Sequence, residues 1–105
     1  MTHKNDFRFN RSENRISMEI PVVLAGHRQM PGVEATFTEN VSAKGARVVS
    51  VRRWDKGAQI SFASRTGEFR SAARVAYCQP LRGEGYAIGV EFLEPVGRWV
   101  VQSAN

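Results

Sequence analysis

The chain predicts an all-β fold, an antiparallel barrel or sandwich, and three observations carry that prediction. Six segments alternate apolar and polar residues with a period of two, the pattern of strands half-buried against a core. Short stretches rich in Gly, Pro, Asp and Ser separate them at regular spacing, as in small antiparallel β domains. The length of 105 residues and the hydrophobic fraction of 42% suit a single domain with one core.

Residues 1–15 have no apolar periodicity and are expected to form a flexible N-terminal arm. The barrel-forming region is read as 16–94. In Ile16 to Ala25, Ile16, Met18, Ile20, Val22 and Leu24 share one face, and Pro21 marks an edge or a bulge because it cannot donate to a ladder. In Val33 to Glu39, the row Val33, Ala35, Phe37 lies opposite Glu34, Thr36 and Thr38. Ala46 to Arg53 is rich in β-branched residues. Ala58, Ile60 and Phe62 face one way in the fourth segment, and Phe69, Ser71, Ala73, Val75 and Tyr77 in the fifth. Tyr86, Ile88, Val90 and Phe92 line the last. The segment 95–105 is expected to form a short C-terminal helix, with Trp99 packing on an open end of the barrel.

A single cysteine excludes a disulfide framework and a thiolate metal cluster. His3 and His27 have no ligand-spaced companions, so no metal is expected. No Ser-His-Asp order, phosphate-binding glycine loop or paired-carboxylate motif stands out, and the chain is read as a non-enzyme without a cofactor. No apolar run approaches the roughly 20 residues needed to cross a bilayer. The polar start, Met1 to Asn10, does not resemble a signal peptide, so a cytoplasmic protein is expected.

The charge narrows the class of partner. Fifteen basic residues against ten acidic give +5, and twelve of the basic residues are Arg. Up to Arg53 there are nine basic and five acidic residues, a net +4, so most of the excess lies in the first half. Arginine favours planar, forked recognition of phosphates and guanine edges over diffuse attraction.

Two motifs concentrate this chemistry. Arg11-Ser12-Glu13-Asn14-Arg15 places two arginines four residues apart just before the first strand. About one such pair is expected by chance in a chain of this composition, and Arg70 and Arg74 form another. That second pair falls within a strand, opposite Phe69 and Val75, and reads as ordinary outward charge. The other motif, Asn40-Val41-Ser42-Ala43-Lys44-Gly45, has the form [D/N]-x-S-x-x-G between the second and third strands. A plain turn between strands would use the same residue types.

The order R-x-x-x-R, strand, [D/N]-x-S-x-x-G resembles the PilZ domain. Ile16 to Val22 resembles the family's first strand, and Tyr86 to Phe92 its last, with Gly89 at the glycine that strand usually carries. Trp99 falls in the segment that often closes the barrel, so the resemblance spans about residues 8 to 100. It implies a six-stranded β-barrel that binds the bacterial second messenger cyclic di-GMP. By that resemblance Arg11 and Arg15 clamp the ligand, Asn40, Ser42 and Gly45 form the second half of the site, and Gly89 leaves room beside it. Many family members carry a second arginine directly before the first, at a position that helps set how many ligand molecules bind; this chain has Asn10 there.

The residue types suit that ligand. A guanidinium donates two hydrogen bonds to guanine O6 and N7, pairs with phosphate, or lies flat on a purine. Asn and Ser hydrogen-bond guanine edges and phosphate oxygens, and Gly allows close backbone approach. Signal output is expected to pass through an unknown downstream protein partner, with no membrane role. Two alternatives stand beside this reading: a degenerate PilZ-like interaction module that binds no nucleotide, and a small basic barrel for single-stranded nucleic acid. The second is disfavoured because it needs aromatic platforms on an outer strand face.

Overall fold

The computed structural model describes residues 14–102. The arm expected at 1–15 therefore lies almost wholly outside the described residues, as does Arg11. Within them the fold is all-β and antiparallel, and no helix is present. Nor is any helix there long and apolar enough to cross a membrane.

Seven strands form: β1 (Ile16–Ser17), β2 (Pro21–Ala25), β3 (Val33–Ser42), β4 (Gly45–Ser50), β5 (Gln59–Ser64), β6 (Phe69–Pro80) and β7 (Tyr86–Gly97). Their order is β1-β3-β2-β5-β6-β7-β4, and β4 pairs back onto β3. Six strands thus close a barrel, and β1 is a two-residue addition beside β3. Closure gives every long strand a partner on each side over part of its length, which shortens the exposed edges that invite aggregation.

The segment Ile16 to Ala25, read from sequence as one strand, runs along β3 but is interrupted between β1 and β2. Thr38 bridges the gap: its hydroxyl accepts from the Ile20 N–H at 2.9 Å and donates to the Met18 carbonyl at 2.6 Å. Pro21 opens β2 beside this irregularity, where a missing N–H does least harm.

The core contains Val22, Leu24, Ile60, Phe62, Phe69, Val75, Ile88 and Val90, all on the faces that the alternation picks out, together with Val41 and Val48. Ile16 and Met18, placed in one row with Val22 and Leu24, are exposed, in β1 and in the break before β2, and β3 departs further. It turns the polar row inward, with Glu34 and Thr38 buried and Val33 and Phe37 exposed. Each inward polar group has a partner. Glu34 accepts from Ser50 Oγ at 2.8 Å and from the Val51 N–H at 2.7 Å, and Thr36 Oγ1 donates to the Val49 carbonyl at 2.7 Å. Among the described residues no buried side-chain donor or acceptor is left unpaired, so the polar row is tolerated inside.

The expected C-terminal helix does not form. β7 continues to Gly97, pairing Pro95 with Ser71 and Gly97 with Phe69. Beyond Glu91 the ladder with β4 has ended, so this stretch of β7 is an edge and accepts Pro95. Gly97 then adopts a φ of 97°, a left-handed conformation that suits glycine and stops the strand. The turn sends Trp99 back over the barrel end, as the sequence suggested. Its ring centroid lies 5.5, 4.8 and 5.2 Å from those of Phe62, Phe69 and Phe92, and its Nε1–H donates to the Ser42 carbonyl at 2.8 Å.

Candidate functional site

Two β-bulges shape the outer face of β3, β4, β7 and β6. In β3 the pairing with β4 slips between Thr38 and Asn40. The extra residue, Glu39, reverses the parity of the strand, so Thr38 and then Val41 point inward while Asn40 points out. In β6 the pairing with β7 slips between Val75 and Tyr77. Ala76 is the unmatched residue there, and Tyr77 leaves the inward row in which its spacing placed it. Bulges commonly re-aim side chains beside binding sites.

The bulges bring two cross-strand rows onto one surface. In the first, Tyr77 pairs with Gly89, Gly89 with Arg47, Arg47 with Asn40, and Asn40 with Ser17. In the second, Arg74 pairs with Glu91, Glu91 with Gly45, and Gly45 with Ser42. A pocket of about 360 Å³ lies over these rows, and Arg15, Asn40, Ser42, Gly45 and Gly89 all line it. Five of the six residues nominated from sequence thus meet in one place, and the sixth, Arg11, is outside the described residues.

Each plays a definable part. Arg15 Nη1 lies 3.5 Å from Asn40 Oδ1, so the end of the R-x-x-x-R motif reaches the start of the N-x-S-x-x-G motif. Ser42 is buried; its hydroxyl accepts from the Lys44 N–H at 3.3 Å and donates to the Gly45 carbonyl at 3.4 Å, closing the turn. Gly45 has no side chain because a Cβ there would sit 2.1 Å from the Val90 carbonyl oxygen. A Cβ on Gly89 would sit 2.2 Å from Tyr77 Cε2. The space beside Gly89 is therefore filled by the Tyr77 ring, which forms one wall of the pocket.

Spacing alone misses four participants. Lys44, Arg74, Tyr77 and Glu91 also line the pocket. Arg74 is not background charge: it pairs with Glu91 in the pocket lining. Arg47 underpins the wall. Its Nε donates to Glu39 at 2.8 Å, its Nη1 donates to Tyr77 Oη and Gln79 Oε1 at 3.2 Å each, and its guanidinium carbon lies 5.8 Å from the Tyr77 ring centroid. The hydrogen bond to Glu39, and after it the one to Tyr77, raise the Arg47 pKa further, against a smaller opposing effect of burial. Cross-strand neighbours such as Arg74 and Glu91 stand 17 positions apart, beyond any local motif.

The lining is chemically suited to an anion with planar rings. Among the described residues it offers three cations, Arg15, Lys44 and Arg74, against one carboxylate, Glu91, together with an amide and an aromatic wall. Among the described residues there is no cluster of His, Cys, Asp or Glu able to hold a metal ion.

Comparison with known proteins identifies the family and the fold. The family model for the PilZ domain matches residues 9–98. Among solved structures, that of the Bacillus subtilis inhibitor of motility, MotI/DgrA, is similar, with a TM-score of 0.65 and 19% identity. The match covers 82% of this chain and 43% of that one, so this chain spans less than half the length of that protein, and the likeness is one of fold. A search of curated proteins finds no match. With the family match running from before Arg11 to beyond β7, the chain belongs to the PilZ domain family.

Proposed function

We propose that this protein is a receptor for cyclic di-GMP, taking the dinucleotide between the R-x-x-x-R segment and the N-x-S-x-x-G turn and relaying the signal by contact with another protein. The observation that carries the reading is the meeting of the two motifs, with Arg15 Nη1 3.5 Å from Asn40 Oδ1 at the rim of one pocket. Membership of the PilZ family supports a module of the cyclic di-GMP-binding type.

The residues divide the ligand between them. Arg11 and Arg15 bracket a guanine and its phosphate, using the fork and the flat face of the guanidinium. Asn40 offers both a donor and an acceptor to a guanine edge. Ser42 and Gly45 shape the turn so that its backbone comes close to the ligand. The Tyr77 wall limits how far a base can slide across the sheet.

Isothermal titration calorimetry with cyclic di-GMP, GTP and a short oligonucleotide tests the reading. Heat of binding is expected from cyclic di-GMP alone. Arg11→Ala and Arg15→Ala should each weaken it by about 2–3 kcal/mol, the scale of a charge-assisted hydrogen bond removed from a site. Arg70→Ala, on the outer face of β6 away from the pocket, should bind as the native chain does. Unchanged affinity in both arginine variants would refute the assigned site.

A further inference from the structure

Arg74 and Glu91 belong to neither motif, yet both line the pocket. They are directly paired across β6 and β7, and Glu91 in turn faces Gly45 across β4, which fixes the ion pair beside the N-x-S-x-x-G turn. Arg74 Nη2 donates to Glu91 Oε1. The two side chains are 53% and 48% exposed, so the pair is well hydrated and holds only weakly. Arg47, on the neighbouring row, is the contrast: Glu39, Tyr77 and Gln79 all hold its guanidinium, and it cannot turn without losing them.

Among the described residues Glu91 is also the only carboxylate in the pocket lining, opposite three cations. A carboxylate and a phosphate offer a guanidinium the same kind of paired oxygen acceptors, so they compete for one fork. They also repel one another at close range, so both cannot take the same edge of the Arg74 guanidinium together.

We infer that Glu91 is a resident counter-anion that holds Arg74 until a phosphate of the ligand displaces it, so that Glu91 sets the affinity of the pocket. The inference rests on the proposed function, with cyclic di-GMP as the anion. On binding, Arg74 turns from Glu91 to the ligand phosphate and Glu91 swings into water. No covalent step is involved. Arg74 becomes a third ligand-binding arginine, and Glu91 a positioning residue that acts through it.

The test is calorimetry with cyclic di-GMP on the full chain and four variants, with thermal melts of each. Glu91→Gln, which removes the charge and keeps the shape, should tighten binding roughly three- to tenfold. Arg74→Ala should weaken it roughly tenfold. The double variant should bind like Arg74→Ala alone, because Glu91 acts by occupying Arg74. Arg15→Ala reports on the underlying site. If the native chain binds and Arg15→Ala does not, but Glu91→Gln leaves the affinity unchanged, the counter-anion role is wrong while the site stands. Tightening by Glu91→Gln that persists without Arg74 would also overturn it, assigning Glu91 a direct repulsion instead. Lowered melting temperatures with unaltered affinities would make the pair a mere tie between β6 and β7. A native chain that does not bind cyclic di-GMP overturns both the proposed function and this inference.

Discussion

Gly89 and Gly45 are small for different reasons, and the difference is measurable. At Gly89 the obstacle is the Tyr77 ring, which is anchored by Arg47 but remains a side chain. At Gly45 it is the Val90 backbone, part of the β4–β7 ladder. Gly89→Ala should cost about 1–3 kcal/mol, the usual scale of overpacking, as Tyr77 and Arg47 shift. Gly45→Ala should cost more, since a strand must move. Urea unfolding of the two variants checks the order, and equal losses would show that the backbone yields as readily as the ring. The sequence marks both glycines as belonging to the site, but the neighbours that require them lie in β6 and β7, and spacing along the chain is blind to those. The same blindness hides Arg74, whose significance depends wholly on Glu91 across the sheet.

At the scale of elements, periodicity shows that strands exist and roughly where they lie, but it cannot register a change of parity. Glu39 and Ala76 are single-residue insertions into their ladders, and each flips the facing of its neighbour: Asn40 moves out into the site, and Tyr77 leaves the inward row for the pocket wall. The inward polar row of β3 is unreadable for a related reason. Thr36, Thr38 and Glu34 are tolerated only because partners on β4, and in the Met18–Ile20 break, satisfy them. The tail shows the opposite balance. Its apolar anchor, Trp99, is evident in the sequence, whereas the strand pairing of Pro95 and Val96 is decided by β6. Because Trp99 closes a box with Phe62, Phe69 and Phe92, Trp99→Ala should destabilise the fold by about 3–5 kcal/mol. Chemical denaturation gives the value directly, and a loss well under about 1 kcal/mol would mean the box collapses onto the gap.

For the molecule as a whole, the closed ring makes the outer surface a rigid platform, and the charge it carries becomes a long-range property. A net charge of +5 attracts a dianionic ligand before any contact forms. The association rate should therefore fall as salt rises from about 0.05 to about 0.5 M, where the screening length shrinks well below the size of the domain. If the proposed function holds, the dissociation rate, set by short-range contacts between ligand and pocket, should change far less. Stopped-flow measurement across that range separates the two, and a salt-independent association rate would show that the surface excess has no steering role.

The hydrogen bond from Trp99 to Ser42 ties the tail to the N-x-S-x-x-G turn, so the environment of this indole depends on the conformation of that turn. The other indole, Trp54, donates to Ser50 Oγ at the far end of β4. One ring nitrogen thus bonds to the turn that carries Ser42 while its twin sits a strand's length away, so the two indoles form an intrinsic reporter and reference for that turn without any added label.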